Sequence, residues 1–110
     1  MTSKFVQRGE VLNYTNGGGS TIAGGTPVLV GKRLGIALAD IAVGAVGALQ
    51  MCGVFTVAKL SSDTPSQGDL LYWDAGNNRL TTTASGNTLA GYCWTTPAAS
   101  ATTVDININE

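Results

Sequence analysis

The clearest pattern in the chain lies near its C-terminal end. In Val104-Asp105-Ile106-Asn107-Ile108-Asn109 apolar and polar residues alternate strictly, the period of a strand with one buried and one wet face. Similar short runs recur along the chain, separated by Gly, Asn, Pro or Asp, and such spacing reads as successive strands. It predicts strands at 11–15, 21–23, 27–30, 34–39, 48–59, 70–73, 79–83, 89–95 and 103–109. No segment carries a helical apolar stripe bounded by caps; only 39–46 is read as a short helical turn. The predicted fold class is all-β: a small single-domain β-sandwich or barrel of short antiparallel strands at 9–110, with an extended N-terminal arm at 1–8. The pattern does not separate sandwich from barrel.

Residues 41–58 hold no charge, a length at which a membrane-spanning helix must be weighed. Gln50 near the middle, Asp40 at the edge and glycines at 35, 44, 47 and 53 oppose it. The reading adopted is two buried strands around a Gly-rich turn at 42–47, with no membrane partner. Glycine is 15 of 110 residues, about twice the usual share, which favours a turn-rich β domain. The run Asn16-Gly17-Gly18-Gly19-Ser20 is expected to be a flexible loop that no side chain stiffens.

Charge narrows the function. Only 12% of residues are charged and the net charge is -1, so nothing points to nucleic acid. A neutral surface also suits close packing against another protein, because little charge must be desolvated. The chain has no histidine, which removes the commonest general base and metal ligand. Cys52 and Cys93 stand far apart without a CxxC motif; they are expected to be buried free thiols, with a single disulfide as the alternative. No metal, cofactor or catalytic residue is expected, and the chain is not read as an enzyme. The N-terminus lacks the apolar region of a signal peptide.

The densest chemistry is Gly68-Asp69-Leu70-Leu71-Tyr72-Trp73-Asp74-Ala75-Gly76-Asn77-Asn78-Arg79-Leu80-Thr81-Thr82-Thr83. Residues 74–78 accept turn geometry, so the local grammar is a β-hairpin. Asp69 and Asp74 then cap strand ends; the competing reading is a pair of glycosidase carboxylates. Trp73 and Trp94 sit in apolar strands where burial is the usual fate, against a sugar-stacking alternative. Gly31-Lys32 resembles a phosphate-binding loop only in those two residues, since Thr26 and Arg33 stand where glycine and Ser/Thr are required. Lys4-Phe5-Val6-Gln7-Arg8 is extended-prone. It reads equally as a frayed terminus, the first strand of the fold, or an arm that docks on a neighbour.

Several blocks keep a recognisable order: Phe5-Val6-Gln7-Arg8-Gly9-Glu10-Val11-Leu12, Gly25-Thr26-Pro27-Val28-Leu29-Val30-Gly31, Leu34-Gly35-Ile36-Ala37-Leu38-Ala39-Asp40, Gly53-Val54-Phe55, Gly68-Asp69-Leu70-Leu71-Tyr72-Trp73-Asp74, Leu80-Thr81-Thr82-Thr83 and Gly86-Asn87-Thr88-Leu89-Ala90-Gly91-Tyr92. In these the chain resembles the small capsid cement, or decoration, proteins of tailed bacteriophages and prophages. The resemblance implies a non-enzymatic virion protein, made in the bacterial host cytoplasm, that binds the outer capsid surface and stabilises it. The implied partners are the major capsid protein and further copies of itself, as a homotrimer with a dimer as the alternative. Lys4, Phe5, Val6, Gln7 and Arg8 are then the expected capsid-binding arm, and Tyr72, Trp73 and Trp94 expected oligomer or capsid contacts. The rival reading is a carbohydrate-binding or adhesive β module that uses exposed aromatics.

Overall fold

The computed structural model describes residues 9–110. Nine strands follow one another: β1 (Val11–Thr15), β2 (Pro27–Val30), β3 (Arg33–Ala37), β4 (Val46–Gln50), β5 (Val54–Ala58), β6 (Leu70–Asp74), β7 (Arg79–Thr81), β8 (Thr88–Thr95) and β9 (Thr103–Ile108). They form two antiparallel sheets, ordered β1-β4-β3-β2 and β5-β9-β8-β6-β7. Among the described residues no helix is long and apolar enough to cross a membrane.

The second sheet rolls up. Its two outer strands, β5 and β7, meet through a parallel bridge between Lys59 and Leu80, where the Leu60 N–H donates to the Leu80 carbonyl at 2.9 Å. This contact ties the two edges together at one point and turns one face of the sheet inward. Alternate residues of its strands fill the interior: Leu71 and Trp73 from β6, Leu80 from β7, Ala90 and Cys93 from β8, and Val104, Ile106 and Ile108 from β9. This is the inward set that the alternation of 104–109 requires. The first sheet completes the same core, because Leu34 and Ile36 of β3 are buried in it. A smaller cluster of Ala37, Ile41 and Leu49 lies within the first sheet.

One side chain joins the two halves. Asn109, just past β9, has a left-handed backbone (φ 61), a region that Asn tolerates better than most residues. Its Oδ1 accepts the Leu34 N–H at 3.1 Å, and its Nδ2 donates to the carbonyls of Leu34 and Met51 at 2.7 Å each. Strand β4 pairs with β3 only at Ile36 and Ala37. At Leu34 the Asn109 amide therefore supplies the donor and acceptor that a neighbouring strand would have offered.

Four expectations are corrected. The single strand at 48–59 is two strands in different sheets, β4 and β5. The chain swings between them at 51–53, where Gly53 has φ 110 and the Gln50 Nε2 donates to the Cys52 carbonyl at 3.2 Å. The helical turn at 39–46 is instead a loop with a β-turn at 42–45: Ala45 N–H reaches the Ala42 carbonyl at 2.9 Å with Gly44 at φ 80, the conformation that a type II turn demands at that position. The 16–20 loop is held by a side chain after all. Asn16 is buried at 2% exposure; its Nδ2 donates to the carbonyls of Ser20 and Ile41 at 2.9 Å each, and its Oδ1 accepts the Gly18 N–H at 3.0 Å. The expected strand at 21–23 reduces to a bridge between Ile22 and Ile41.

Candidate interaction surfaces

The acids of the hairpin at 68–83 have structural partners. Asp74 Oδ1 accepts the Gly76 N–H at 3.2 Å and Oδ2 accepts Asn77 Nδ2 at 2.8 Å. Asn78 closes the turn with φ 51. Asp69 Oδ2 accepts the Ser66 N–H at 2.8 Å. The two acids stand at opposite ends of β6, five residues apart, which is about 16 Å along a strand. Paired glycosidase carboxylates need about 5–10 Å, so this pair cannot flank one bond. The Gly31-Lys32 pair is likewise a two-residue hairpin turn between Val30 and Arg33, with Gly31 at φ 57.

The strand parity of β6 separates the aromatics. Leu71 and Trp73 point inward, Trp73 being 4% exposed. Trp73 thus has no surface to offer a partner, and its place among expected contact residues is corrected: the alternation of β6 commits it to the core. Leu70 and Tyr72 point outward. Leu70 pairs with Tyr92 and Tyr72 with Leu89, across a register shift at Leu71/Tyr72 that leaves Ala90 as the extra residue on β8. Such a bulge flips the following residues to the other face, which is why Ala90 and Cys93 both face inward while Leu89, Tyr92 and Trp94 face out. The Tyr92 and Trp94 rings meet with centroids 6.1 Å apart, and the Asn107 Nδ2 donates to the Tyr92 hydroxyl at 3.1 Å.

The outer face of the roll is consequently apolar. Leu70, Leu89, Trp94 and Val54 are 50%, 47%, 44% and 42% exposed, and register places Val54 opposite Asn107, which lies beside Tyr92. Sequence reading had singled out Tyr72 and Trp94 on this face but missed Leu70, Leu89 and Tyr92. The signal was present in the alternation of 70–74; the bulge hid it in 88–95. The expected arm, Lys4 to Arg8, lies outside the described residues.

Two polar features complete the picture. At the seam of the roll Lys59 is buried at 4% exposure and its Nζ donates to the carbonyls of Leu60 at 3.2 Å and Asp63 at 2.9 Å. The Asp63 carboxylate accepts the Thr81 hydroxyl at 2.7 Å and the Thr82 N–H at 3.0 Å. Burial pushes this carboxyl up, but the bonds from Thr81 and Thr82 and the Lys59 charge outweigh it and hold it below the usual range. At the junction of the sheets an open groove of about 430 Å³ is lined by Gly9, Leu12, Arg33, Met51, Cys52 and Asn109 among others. Among the described residues no cluster of three or more His, Cys, Asp or Glu could hold a metal ion. Both cysteines are free, and Cys93 is fully buried; burial, with nearby Asp69, raises its thiol.

The profile of the phage cement proteins matches residues 6–108, nearly the whole chain. The chain belongs to the phage cement protein family. No curated protein and no solved structure matches it. Membership gives the chain a structural role in a phage capsid. In a cement protein the surfaces matter more than any cleft. The hairpin at 68–83 then serves as scaffold: its turn is capped, its inner face is core, and its outer face carries part of the apolar patch.

Proposed function

We propose that this cement protein coats the outer surface of a phage head as a homo-oligomer, a trimer before a dimer, and stabilises the shell by bridging neighbouring subunits of the major capsid protein. The observation that carries the reading is the family match over 6–108, which makes the chain a capsid protein. The rest of the molecule is consistent with the role. A rolled sheet tied at its seam and filled with side chains is a rigid spacer. A surface with few charges can pack against protein at little desolvation cost, and an oligomer that touches several capsomers gains from effective concentration although each contact is weak. The carbohydrate-binding alternative loses one of its two tryptophans, since Trp73 is in the core.

The test is the copy number of this chain in gradient-purified, salt-washed virions, together with add-back of the purified chain to heads stripped of it. The expected result is an abundance comparable to the major capsid protein, saturable rebinding, and stripped heads that burst at lower temperature than rebound ones. A few copies per particle, or rebinding that leaves head stability unchanged, refutes the coat.

A further inference from the structure

Asparagine stands at positions 13, 16, 77, 78, 87, 107 and 109, and only Asn16 is followed by glycine. That dipeptide is chemically labile, because a glycine nitrogen has no neighbouring Cβ to shield it. Once base removes its proton, the Gly17 nitrogen can attack Asn16 Cγ and form a C–N bond. The Cγ–Nδ2 bond then breaks, and Nδ2 leaves as ammonia with a proton from solvent. Water opens the resulting succinimide ring at either carbonyl, which leaves aspartate or isoaspartate at position 16.

The fold opposes this reaction at the side chain. Asn16 is 2% exposed although Gly17 to Ser20 are all exposed, so water is kept from Cγ. Nδ2 donates to the Ser20 and Ile41 carbonyls at 2.9 Å each, and its departure as ammonia breaks both bonds. Oδ1 is held by the Gly18 N–H at 3.0 Å. The main chain is fixed as well: the Asn16 N–H reaches the Ala45 carbonyl at 2.9 Å, and the Asn16 carbonyl accepts the Gly44 N–H at 2.8 Å. Ile41, the distant anchor, is itself buried in the small cluster with Ala37 and Leu49. Release of the Asn16 amide therefore requires that cluster to open, not merely the glycine loop to move.

We propose that Asn16-Gly17 is a deamidation site, shut in the native fold and exposed when the Ile41 cluster opens. The change is one-way. Aspartate keeps the acceptor for the Gly18 N–H but turns its second oxygen toward two carbonyls. Isoaspartate also lengthens the main chain between the bonds to Gly44 and Ala45. Either product loosens the tie between the end of β1 and the 42–45 turn, so a transient opening becomes a permanent one. The inference stands apart from the capsid role and does not need the homo-oligomer.

The test incubates the full chain at mildly alkaline pH, folded and in guanidinium chloride, and follows each asparagine by peptide mass spectrometry. In the unfolded chain Asn16 is expected to convert first. Three side-chain bonds, each worth about twofold to tenfold, should slow it about a hundredfold in the folded chain. Gly17→Ala, at a position where a Cβ meets nothing within 4 Å, should remove the fast conversion in the unfolded chain and leave the melting temperature near the parent's. Ile41→Val should speed conversion in the folded chain by about twofold to tenfold and leave the unfolded rate unchanged. The converted chain, refolded, should melt below the parent. Equal rates in the folded and unfolded parent, another asparagine converting ahead of Asn16 in the unfolded chain, or a converted chain that melts with the parent overturns the proposal.

Discussion

Replacing Asn109 with alanine removes three hydrogen bonds at the joint between the sheets. Two of them serve Leu34, which is 0% exposed, and the third serves the Met51 carbonyl. Each bond contributes about 0.5–1.5 kcal/mol net, and more where a buried partner is left unsatisfied. Alanine must also keep the left-handed backbone, φ 61, at a cost of about 1 kcal/mol. Against this, Asn109 lines the open groove, so water can reach part of what is exposed. The expected loss is about 2–4 kcal/mol, which for a domain of this size lowers Tm by about 10 °C or more. Urea unfolding at fixed protein concentration measures it, the concentration being held because self-association would contribute to apparent stability; an unchanged m-value confirms that the folded and unfolded states are otherwise alike. Asn109→Asp sharpens the test. Aspartate keeps the acceptor for the Leu34 N–H but directs its other oxygen at two carbonyls. At neutral pH it should be at least as damaging as alanine. The native carboxyl of that variant is raised above the unfolded value, so stability should recover as pH falls through the raised value and the group becomes a donor. A loss under about 1 kcal/mol for alanine, or an aspartate variant as stable as the parent at pH 7, would mean that Asn109 is not the joint.

Gly91→Ala should prevent stable folding, because a Cβ there would overlap the Asn107 carbonyl across the β8–β9 pair; soluble chain with the parent's far-UV spectrum and melting temperature would contradict this. Asp63→Ala removes the acceptor of the Thr81 hydroxyl and the Thr82 N–H, while Lys59 keeps its bonds to the Leu60 and residue-63 carbonyls; it should cost about 1–3 kcal/mol at pH 7. Since the native Asp63 carboxyl is lowered, that stability is complete above the unfolded value of about 4 and is lost as pH falls through the native one; parent and variant melting curves should draw together as the pH falls below the unfolded value, and a constant gap rejects the network. In the native chain a thiol reagent should modify Cys52 first and reach buried Cys93 only on unfolding, so Cys52→Ser should abolish the rapid phase; rapid labelling that survives this substitution counts against the fold around β8.

Much of the strand layout was readable because burial in a half-wet strand leaves a period-two trace. Val104 to Asn109 and the 70–83 hairpin are found where the alternation and the turn residues put them. The junctions were harder for a physical reason. Between 41 and 58 apolar residues stand on both faces of the strands, Val46 and Val54 exposed while Leu49 and Val57 are buried, so the polar face that would reveal a change of sheet is missing; a glycine at 53 was the only local mark of it. Asn16 and Asn109 were also invisible as supports. A buried asparagine owes its role to backbone groups far away in sequence, at Ile41 for one and Leu34 for the other, and no local rule encodes those partners.

The division between core and surface on the roll depends on the same long-range information. Trp73 and Trp94 sit in similar company, Leu-Tyr-Trp-Asp and Tyr-Cys-Trp-Thr, yet one is core and one is wet. In β6 the alternation from Leu71 alone assigns Trp73 to the interior. In β8 the count inward from Ala90 assigns Tyr92 to the interior and Cys93 to solvent, which is the reverse of what the structure holds. Only the register shift opposite Leu71/Tyr72 restores Cys93 to the core and turns Tyr92 and Trp94 outward. The bulge therefore does more than bend a strand. It moves two large aromatics from the core face to the outer face, beside Leu70 and Leu89, and so creates the apolar patch on the roll. A monomer would gain nothing from that arrangement, since large exposed apolar patches favour association. Its physical sense lies in a partner, which is why the bulge belongs with the contact surface as much as with the fold.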